Sequence, residues 1–193
     1  MVHRLDRETS GVMIFGKDLA AATELRRLWE LGLVTKQYVG LVHGHVTEAS
    51  GIIKAPLGRD EASEVAIKDC VRSDGALART RYTVERRFCR GDRCYTRLRV
   101  WLDTGRKHQI RIHLAHEGYP LVGDKIYGAD ERLYLAFVRS ALTEADRARL
   151  ELPHHALHAE HLWFPWKGVE LEFHSPPEPW FDEFEKDLAV VWS

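Results

Sequence analysis

An acidic side chain between two arginines is the first feature of the chain that has the chemistry of an active site. Asp6 lies between Arg4 and Arg7 in the polar segment HRLDRETSG, residues 3–11, which leads into the apolar run VMIF, residues 12–15. Nearby guanidinium groups favour the ionised form of a carboxyl group, and an ionised carboxylate can act as a nucleophile or a general base. The apolar run predicts a buried strand. A surface loop with a local Asp–Arg pair is the alternative interpretation, because short motifs match by chance.

The longer string HRLDxxTSG resembles the active-site motif of the RluA-type pseudouridine synthases, in which the Asp is the essential catalytic residue. Five later segments resemble those of the same family in the same order, and together they extend over nearly all of the chain: Lys36-Gln37-Tyr38, Thr80-Arg81-Tyr82, TGRKHQIR at 104–111, GYPLVGD at 118–124, and Leu157-His158-Ala159. Such ordered co-occurrence is more specific than any one short motif.

The resemblance implies a fold and an activity. The fold would be α+β, with a mixed, mostly antiparallel central β-sheet flanked by helices and loops, in one catalytic domain over residues 1–193. Because relatives carry strands before the motif and often an auxiliary RNA-binding domain, we expect this domain to be N-terminally truncated and to have no separate RNA-binding domain. The activity would be isomerisation of uridine to pseudouridine in ribosomal or transfer RNA, without a cofactor or a metal.

Two further catalytic residues are implied by the resemblance. Tyr38 would stack on the target base and take part in proton transfer, and Arg111 would pair with Asp6. The residues alone leave alternatives open for both. A tyrosine on the strand predicted at 34–46 is also compatible with core packing, and Arg111 with a structural salt bridge.

The charge distribution is uneven although the formal net charge is only −1. Eleven Arg or Lys stand against three acids over residues 79–111, and seven acids against one Lys over residues 170–193. A basic middle with an acidic end can hold a polyanion on one face. We therefore predict that the RNA-binding residues are Arg4, Arg97, Arg99, Arg106, Lys107 and His108. Solvated strand edges and turns are the alternative.

Some of these candidates fall on a predicted helix. With Thr104 as its N-cap, the pattern predicts a helix over 106–117 that ends before Gly118. Arg106 and Lys107 would lie in its first turn, where unpaired N–H groups attract a phosphate or the catalytic carboxylate.

The scaffold elements follow from periodicity and capping. We predict a helix over 19–30 capped by Asp18, a hairpin of strands 78–88 and 94–102, a helix over 143–150 and a strand over 169–173. Residues 51–71 read as turn-rich and irregular. A last helix from Pro179 would bury Trp180, Phe181, Phe184 and Leu188.

Three other features bear on the class of protein. Three cysteines do not form an even disulfide set, and we expect a reducing, cytoplasmic setting in which the Cys89–Cys94 bridge does not form. No apolar run is long enough to span a membrane, and no charged segment leads into an apolar stretch and a cleavage site, so we expect neither a membrane span nor secretion. A metal site in the cluster His154, His155, His158 and His161 is disfavoured because the segment reads as a strand.

Three hypotheses remain from the sequence: an active synthase, a non-catalytic RNA-binding protein of the same fold, and a histidine-dependent metal hydrolase. The first is preferred. The sequence does not predict an oligomeric state.

Overall fold

The structure, a computed structural model, describes residues 2–186 and 189–191. Within them lie five helices and ten strands. The helices are α1 Leu19–Glu30, α2 Gln109–His116, α3 Arg132–Val138, α4 Glu144–Leu150 and α5 Pro179–Glu185. The strands are β1 Ser10–Gly11, β2 Thr35–His43, β3 Ser50–Lys54, β4 Leu57–Arg59, β5 Asp69–Val71, β6 Arg79–Arg90, β7 Arg93–Leu102, β8 Leu157–Trp166, β9 Val169–His174 and β10 Ala189–Val190. No helix among the described residues is long and apolar enough to cross a membrane.

One large sheet organises the molecule. Its strand order is β1-β8-β2-β7-β6-β10, with β3 added on β6 and β9 on β8, while β4 and β5 form a separate pair. Only β1 and β8 run parallel, and the other pairings in the sheet are antiparallel. The predicted α+β architecture with a mixed, mostly antiparallel sheet is confirmed.

The two faces of the central strands carry separate cores. On one face, Tyr38 of β2 and Val100 of β7 pack with Ile110 and Leu114 of α2. On the opposite face, Val39 and Leu41 of β2 pack with Phe88, Tyr95 and Phe181, the last of which belongs to α5. Because side chains alternate along a strand, neighbouring residues of β2 and β7 serve different cores.

The helices that the sequence predicted from capping residues are present. Asp18 accepts a hydrogen bond from the Ala21 N–H at the start of α1, and Thr143 forms a capping box with Asp146 at the start of α4. In the predicted last helix Phe181 is buried, whereas Leu188 lies outside the described residues. The predicted hairpin and the strand at 169–173 are also present.

Two predicted elements are wrong in extent. The run 12–15 is not a strand, because the chain leaves β8 after Gly11, whose φ is +115°, and the Ile14 N–H is donated to the ring of His3. The helix predicted over 106–117 begins only at Gln109. Thr104 does not cap it, because its hydroxyl donates to the Gln109 side chain and accepts from the Arg79 N–H.

Two further predictions are corrected. The region 51–71 contains part of β3 and all of β4 and β5, so it is not irregular. The expectation that Cys89 and Cys94 stay unpaired is also wrong, since a disulfide joins them. They are directly opposite each other in the β6–β7 register, which brings their side chains together.

Candidate active site

The segment before β1 is a loop that presents Asp6. The Asp6 carbonyl accepts from the Thr9 N–H at 3.0 Å, which closes a turn behind the side chain. On one side of this turn Leu5 packs against the core. The ring of His3 stacks on Trp29 of α1 with centroids 4.8 Å apart. The backbone around Asp6 is therefore attached to the scaffold, although it belongs to no helix or strand.

The other side of the turn is held by side chains from the later half of the chain. The Thr9 hydroxyl hydrogen-bonds Nε2 of His155 at 2.7 Å, and the Ser10 hydroxyl hydrogen-bonds Nδ1 of His158 at 2.8 Å. The His158 Nε2–H donates to the Ser175 carbonyl, so its Nδ1 accepts from Ser10. These two histidines of the predicted cluster anchor the Asp6 loop.

A third anchor of this loop is an ion pair. The Lys125 ammonium lies 2.8 and 3.0 Å from the two carboxylate oxygens of Glu8, donates to the Pro153 carbonyl, and is 3% exposed. Burying an unpaired ammonium costs free energy, so the ion pair with Glu8 stabilises the buried side chain of Lys125. The loop thus has polar attachments at Glu8, Thr9 and Ser10 in succession.

Asp6 meets Arg111, as the resemblance implied. Nη1 of Arg111 lies 3.1 Å from Oδ2 of Asp6. The rest of the guanidinium is held by Asp124, through Nε at 2.7 Å and Nη2 at 2.8 Å. The side chain of Asp124 is fully buried, that of Arg111 is 5% exposed, and that of Asp6 is 23% exposed. Asp124, Arg111 and Asp6 therefore form one ion-pair cluster, and Asp6 is its most exposed member.

Burial and charge have opposite effects on the pKa values within this ion-pair cluster. Burial opposes ionisation of both Asp124 and Arg111, but their mutual attraction and hydrogen bonds outweigh it. The pKa of Asp124 therefore lies below its ordinary value and the pKa of Arg111 above it. Both groups stay charged at neutral pH, and Nη1 of Arg111, the nitrogen that Asp124 does not hold, donates to Asp6.

Tyr38 and Asp6 line the same cavity of about 290 Å³, beside Arg111 and His108. Tyr38 is 9% exposed. Burial, and then the negative charge of Asp6, raise the pKa of its phenol above its ordinary value, so Tyr38 is neutral. A ring of this kind offers a flat apolar surface and one hydroxyl.

Cations surround the mouth of the cavity. Arg4 and Arg106 line it, as does Lys36, which was not among the predicted site residues. Lys36 makes no salt bridge to any residue that the structure describes, and burial lowers the pKa of its ammonium. The signal that could have identified it is its position two residues before Tyr38, which places both side chains on the same face of β2.

Two predicted RNA-binding residues, Arg97 and Arg99, are not brought to this cavity. Leu98 and Val100 pack in the core with Tyr38, so Arg97 and Arg99 project from the opposite face of β7. There Arg97 pairs with Glu85 and Glu185, and Arg99 with Glu85. The prediction that they share a basic face with Arg106 is wrong.

The remaining predicted contact residues divide between the cavity and its rim. Lys107 is half-exposed, pairs with Asp69 at 2.9 Å and does not line the cavity, whereas His108 does. Neither lies in the first turn of α2, because the helix begins after them. The prediction that Arg106 and Lys107 lie in the first turn of this helix is therefore wrong.

The family is decided by comparison with known proteins. The family model described as RNA pseudouridylate synthase matches residues 1–116, more than half of the chain. The chain belongs to the RNA pseudouridylate synthase family. The resemblance seen in the motifs is thereby confirmed.

Several curated members of the family are similar over nearly the whole chain. A ribosomal large subunit pseudouridine synthase D from Vibrio cholerae is 39% identical over 192 residues, 98% of this chain and 55% of that protein. The protein of the same name from Salmonella typhimurium is 36% identical over 178 residues, 91% of this chain and 51% of that protein. The chain thus spans about half the length of these relatives.

Two solved human structures share the fold of this synthase-family chain. RNA pseudouridylate synthase domain containing 1 has a TM-score of 0.78 and 26% identity, with 98% of this chain and 73% of that chain covered. RNA pseudouridylate synthase domain containing 4 has a TM-score of 0.74 at 24% identity, with 99% and 76% covered.

In this synthase-family site, sequence reasoning missed the residues behind Arg111. Asp124 ends the motif GYPLVGD, but the motif alone predicts no role for it or for Tyr127. Oδ1 of Asp124 accepts from the Ile126 and Tyr127 N–H groups, so the same carboxylate shapes the turn and holds Arg111. The signal in the sequence is the acid at the end of a motif that resembles one of the family.

One group of possible metal ligands lies elsewhere. Glu160, His161 and His174 bring one ligand atom each within 4.8 Å of one another, because His161 and His174 are register partners on β8 and β9. Glu160 and His174 lie outside the cluster His154, His155, His158 and His161, so the expectation that this cluster forms no metal site stays a prediction. None of the three lines the cavity around Asp6.

Proposed function

We propose that the chain is an RNA pseudouridine synthase that isomerises uridine in large-subunit ribosomal RNA, with Asp6 as its catalytic residue. The observation that supports this is the half-open carboxylate of Asp6, held by Arg111 at 3.1 Å in a cavity that also contains Tyr38. The choice of ribosomal rather than transfer RNA follows the names of the bacterial relatives.

The chemistry needs few groups. The C1′–N1 bond of uridine breaks, the uracil turns, a C5–C1′ bond forms, and the C5 proton leaves to solvent. A carboxylate beside the ribose supplies the nucleophile or base for this sequence, and no cofactor or metal is required. The target base has to leave its stack, because neither C5 nor C1′ can be re-aligned within a helix.

The cavity has features that suit such a base. The ring of Tyr38 provides a stacking surface, which is how proteins hold splayed nucleotides. Arg4, Lys36 and Arg106 at the mouth are placed to contact the flanking phosphates.

The test is release of tritium from RNA labelled at uracil C5. A large-subunit ribosomal RNA transcript from the source organism is incubated with wild type, with Asp6→Asn, and with Asp92→Asn as a matched control in the exposed turn between β6 and β7. We expect release by wild type and by Asp92→Asn, and a loss of about a thousandfold or more in Asp6→Asn.

The second hypothesis, a non-catalytic RNA-binding protein, predicts a different pattern. Wild type would then bind the transcript in a filter assay while releasing no label, and Asp6→Asn would be indistinguishable from it. Release from a transfer RNA transcript alone would contradict the proposed substrate but retain the proposed reaction.

A further inference from the structure

His108 has a backbone conformation that is unusual for its residue type. Its φ is +53° and it precedes the first residue of α2. Residues other than glycine rarely adopt this left-handed region, and such positions cluster at functional sites where the surroundings enforce them. The result here is that the ring lines the cavity near Asp6, with a side chain that is 10% exposed.

One nitrogen of this ring is held by Tyr127. Nδ1 of His108 lies 2.8 Å from the Tyr127 hydroxyl, and the two rings meet edge to face. The same hydroxyl accepts from the Asp69 N–H at 3.3 Å. These are its two hydrogen bonds within the part of the chain that the structure describes. Nδ1 is thus the acceptor within reach of the Tyr127 O–H among the described residues, and we assign the O–H to Nδ1 and the hydrogen of the neutral ring to Nε2.

The other nitrogen has no hydrogen-bond partner among the described residues. Nε2 lies 3.9 Å from Oδ1 of Asp6, beyond hydrogen-bond distance. The charged groups that act on the ring are Asp6, Lys107, Arg111 and Asp124. Burial, and then the positive charge of Arg111, lower the pKa of His108 to about 4, so the ring is a neutral donor at physiological pH.

We propose that His108 is a further catalytic residue, whose Nε2–H donates to a carbonyl oxygen of the target uracil, and that Tyr127 is the positioning residue that fixes its tautomer. This inference rests on the proposed function. When the C1′–N1 bond breaks, its electron pair moves onto N1 and O2 of the uracil. A fixed N–H at O2 stabilises that charge without giving up its proton.

The symmetry of uracil makes one donor sufficient for both halves of the reaction. Rotation by half a turn about the axis through N3 and C6 exchanges N1 with C5 and, at the same time, O2 with O4. A donor that holds O2 in the substrate therefore holds O4 after the turn. His108 retains the free base in the cavity in both orientations.

The experiment combines enzyme variants with single-atom changes in the RNA. Single-turnover tritium release is measured at the uridine that wild type modifies, in synthetic RNA with uridine or 2-thiouridine at that position. Sulfur is a weak acceptor, so the thio change and a loss of the Nε2 donor should affect the same interaction. His108→Phe removes the donor, and His108→Gln keeps an N–H near the same position.

We expect His108→Phe to lower the single-turnover rate about ten- to a hundredfold, with RNA affinity changed less than about threefold. His108→Gln should restore most of the rate. The 2-thio change should slow wild type more than it slows His108→Phe, because the shared interaction is already lost. Tyr127→Phe should lower the rate by a smaller factor, because the ring still lies under Arg111 while Nδ1 of His108 loses its hydrogen-bond donor. It should also alter the pH profile, since the lost hydrogen bond favoured the neutral imidazole.

His116→Phe is the matched control, since His116 is an exposed residue of α2 that does not line the cavity. Thermal melts report folding, and if His108→Phe unfolds, the comparison is made with Tyr127→Phe. Equal thio effects in wild type and in the folded variant that lacks the donor or its positioning residue would overturn the inference. Wild type that releases no label would instead refute the proposed function.

Discussion

The two faces of the central strands each hold an arginine between carboxylates, yet only one face has the geometry of an active site. On one face Arg111 joins Asp124 to Asp6. On the other, Arg97 joins Glu85 to Glu185, whose side chain is 5% exposed. The two clusters differ in the surroundings of one carboxylate each, Asp6 and Glu185.

The carboxylate of Asp6 lines a cavity, whereas the carboxylate of Glu185 is enclosed by the protein. Asp6 is 23% exposed and receives one hydrogen bond from a side chain, that of Arg111, within the described residues. Glu185 belongs to α5, where burial raises the pKa of its carboxyl group and where Arg86 also contacts it. Exposure alone does not separate the two clusters, because Glu85 and Asp182 beside Arg97 are also partly or largely exposed. What marks Asp6 as the candidate for catalysis is a free carboxylate oxygen that faces a cavity.

The comparison is sharpest when the two arginines are changed in the same way. Arg111→Lys should lower single-turnover tritium release about a hundredfold or more, because an ammonium cannot reproduce the fork that contacts Asp124 and Asp6 together. Arg97→Lys should leave the rate within about twofold. A comparable loss in both variants would mean that the two faces are not functionally distinct.

The second comparison concerns Asp124 and Glu185, the buried carboxylates that pair with the two arginines. Asp124→Asn should lower activity about ten- to a hundredfold, as loss of an orienting partner commonly does, and should lower the free energy of unfolding by about 3 kcal/mol because Arg111 is left buried without its partner. Glu185→Gln should affect stability but not the rate. Urea unfolding and single-turnover assays on the same preparations separate the two effects.

The histidine anchor of the Asp6 loop predicts a pH dependence of stability. Burial, and then the charge of Arg111, lower the pKa of His155 to about 4, against about 6.5 in an unfolded chain. Between these values the unfolded state binds the proton and the native state does not. Stability is therefore lost as the pH falls, by about 2 kcal/mol for this residue between pH 7 and pH 5.

His155→Gln should remove that share of the pH dependence, and the exposed His116→Gln should not. Urea titrations at the two pH values measure it. If the difference between pH 7 and pH 5 is the same in His155→Gln as in wild type, the ring does not remain neutral in the native loop.

The smallest expected effect is on RNA binding, when the cation Lys36 beside the cavity is removed. Lys36→Ala should weaken binding of the RNA transcript about three- to tenfold, and should reduce the slope of log affinity against log salt concentration by about 0.7 to 0.9. Arg99→Ala, on the face away from the cavity, should change neither quantity. Binding measured at several salt concentrations tests both variants. Equal losses of affinity in the two would mean that Arg99 also contacts the RNA.

Local sequence was sufficient where a short segment determines its own structure. Asp18 and Thr143 predict the starts of α1 and α4 because a capping side chain bonds N–H groups only a few residues away. The motif around Asp6 predicts the identity of the carboxylate and, through the family resemblance, its partner Arg111. The α+β fold with its mostly antiparallel sheet also follows from that resemblance.

Tertiary structure decided which residues face the cavity and which face away. Arg97 and Arg99 were predicted beside Arg106 because they are close in sequence and charge, but the alternation of β7 and the packing of Leu98 place them on the other face. The helix that was expected to begin near Thr104 begins at Gln109, and the Thr104 hydroxyl accepts instead from the N–H of Arg79, 25 positions away.

The support of the site is the part that no local pattern contains. His155, 146 positions from Thr9, holds the Asp6 loop, and Asp124 bonds Arg111. Sequence by itself determined which side chain is the candidate for the chemistry, since that depends on residue type and immediate neighbours. The fold alone decided what holds that side chain and what it faces, because hydrogen bonds and burial depend on distances that sequence separation does not encode.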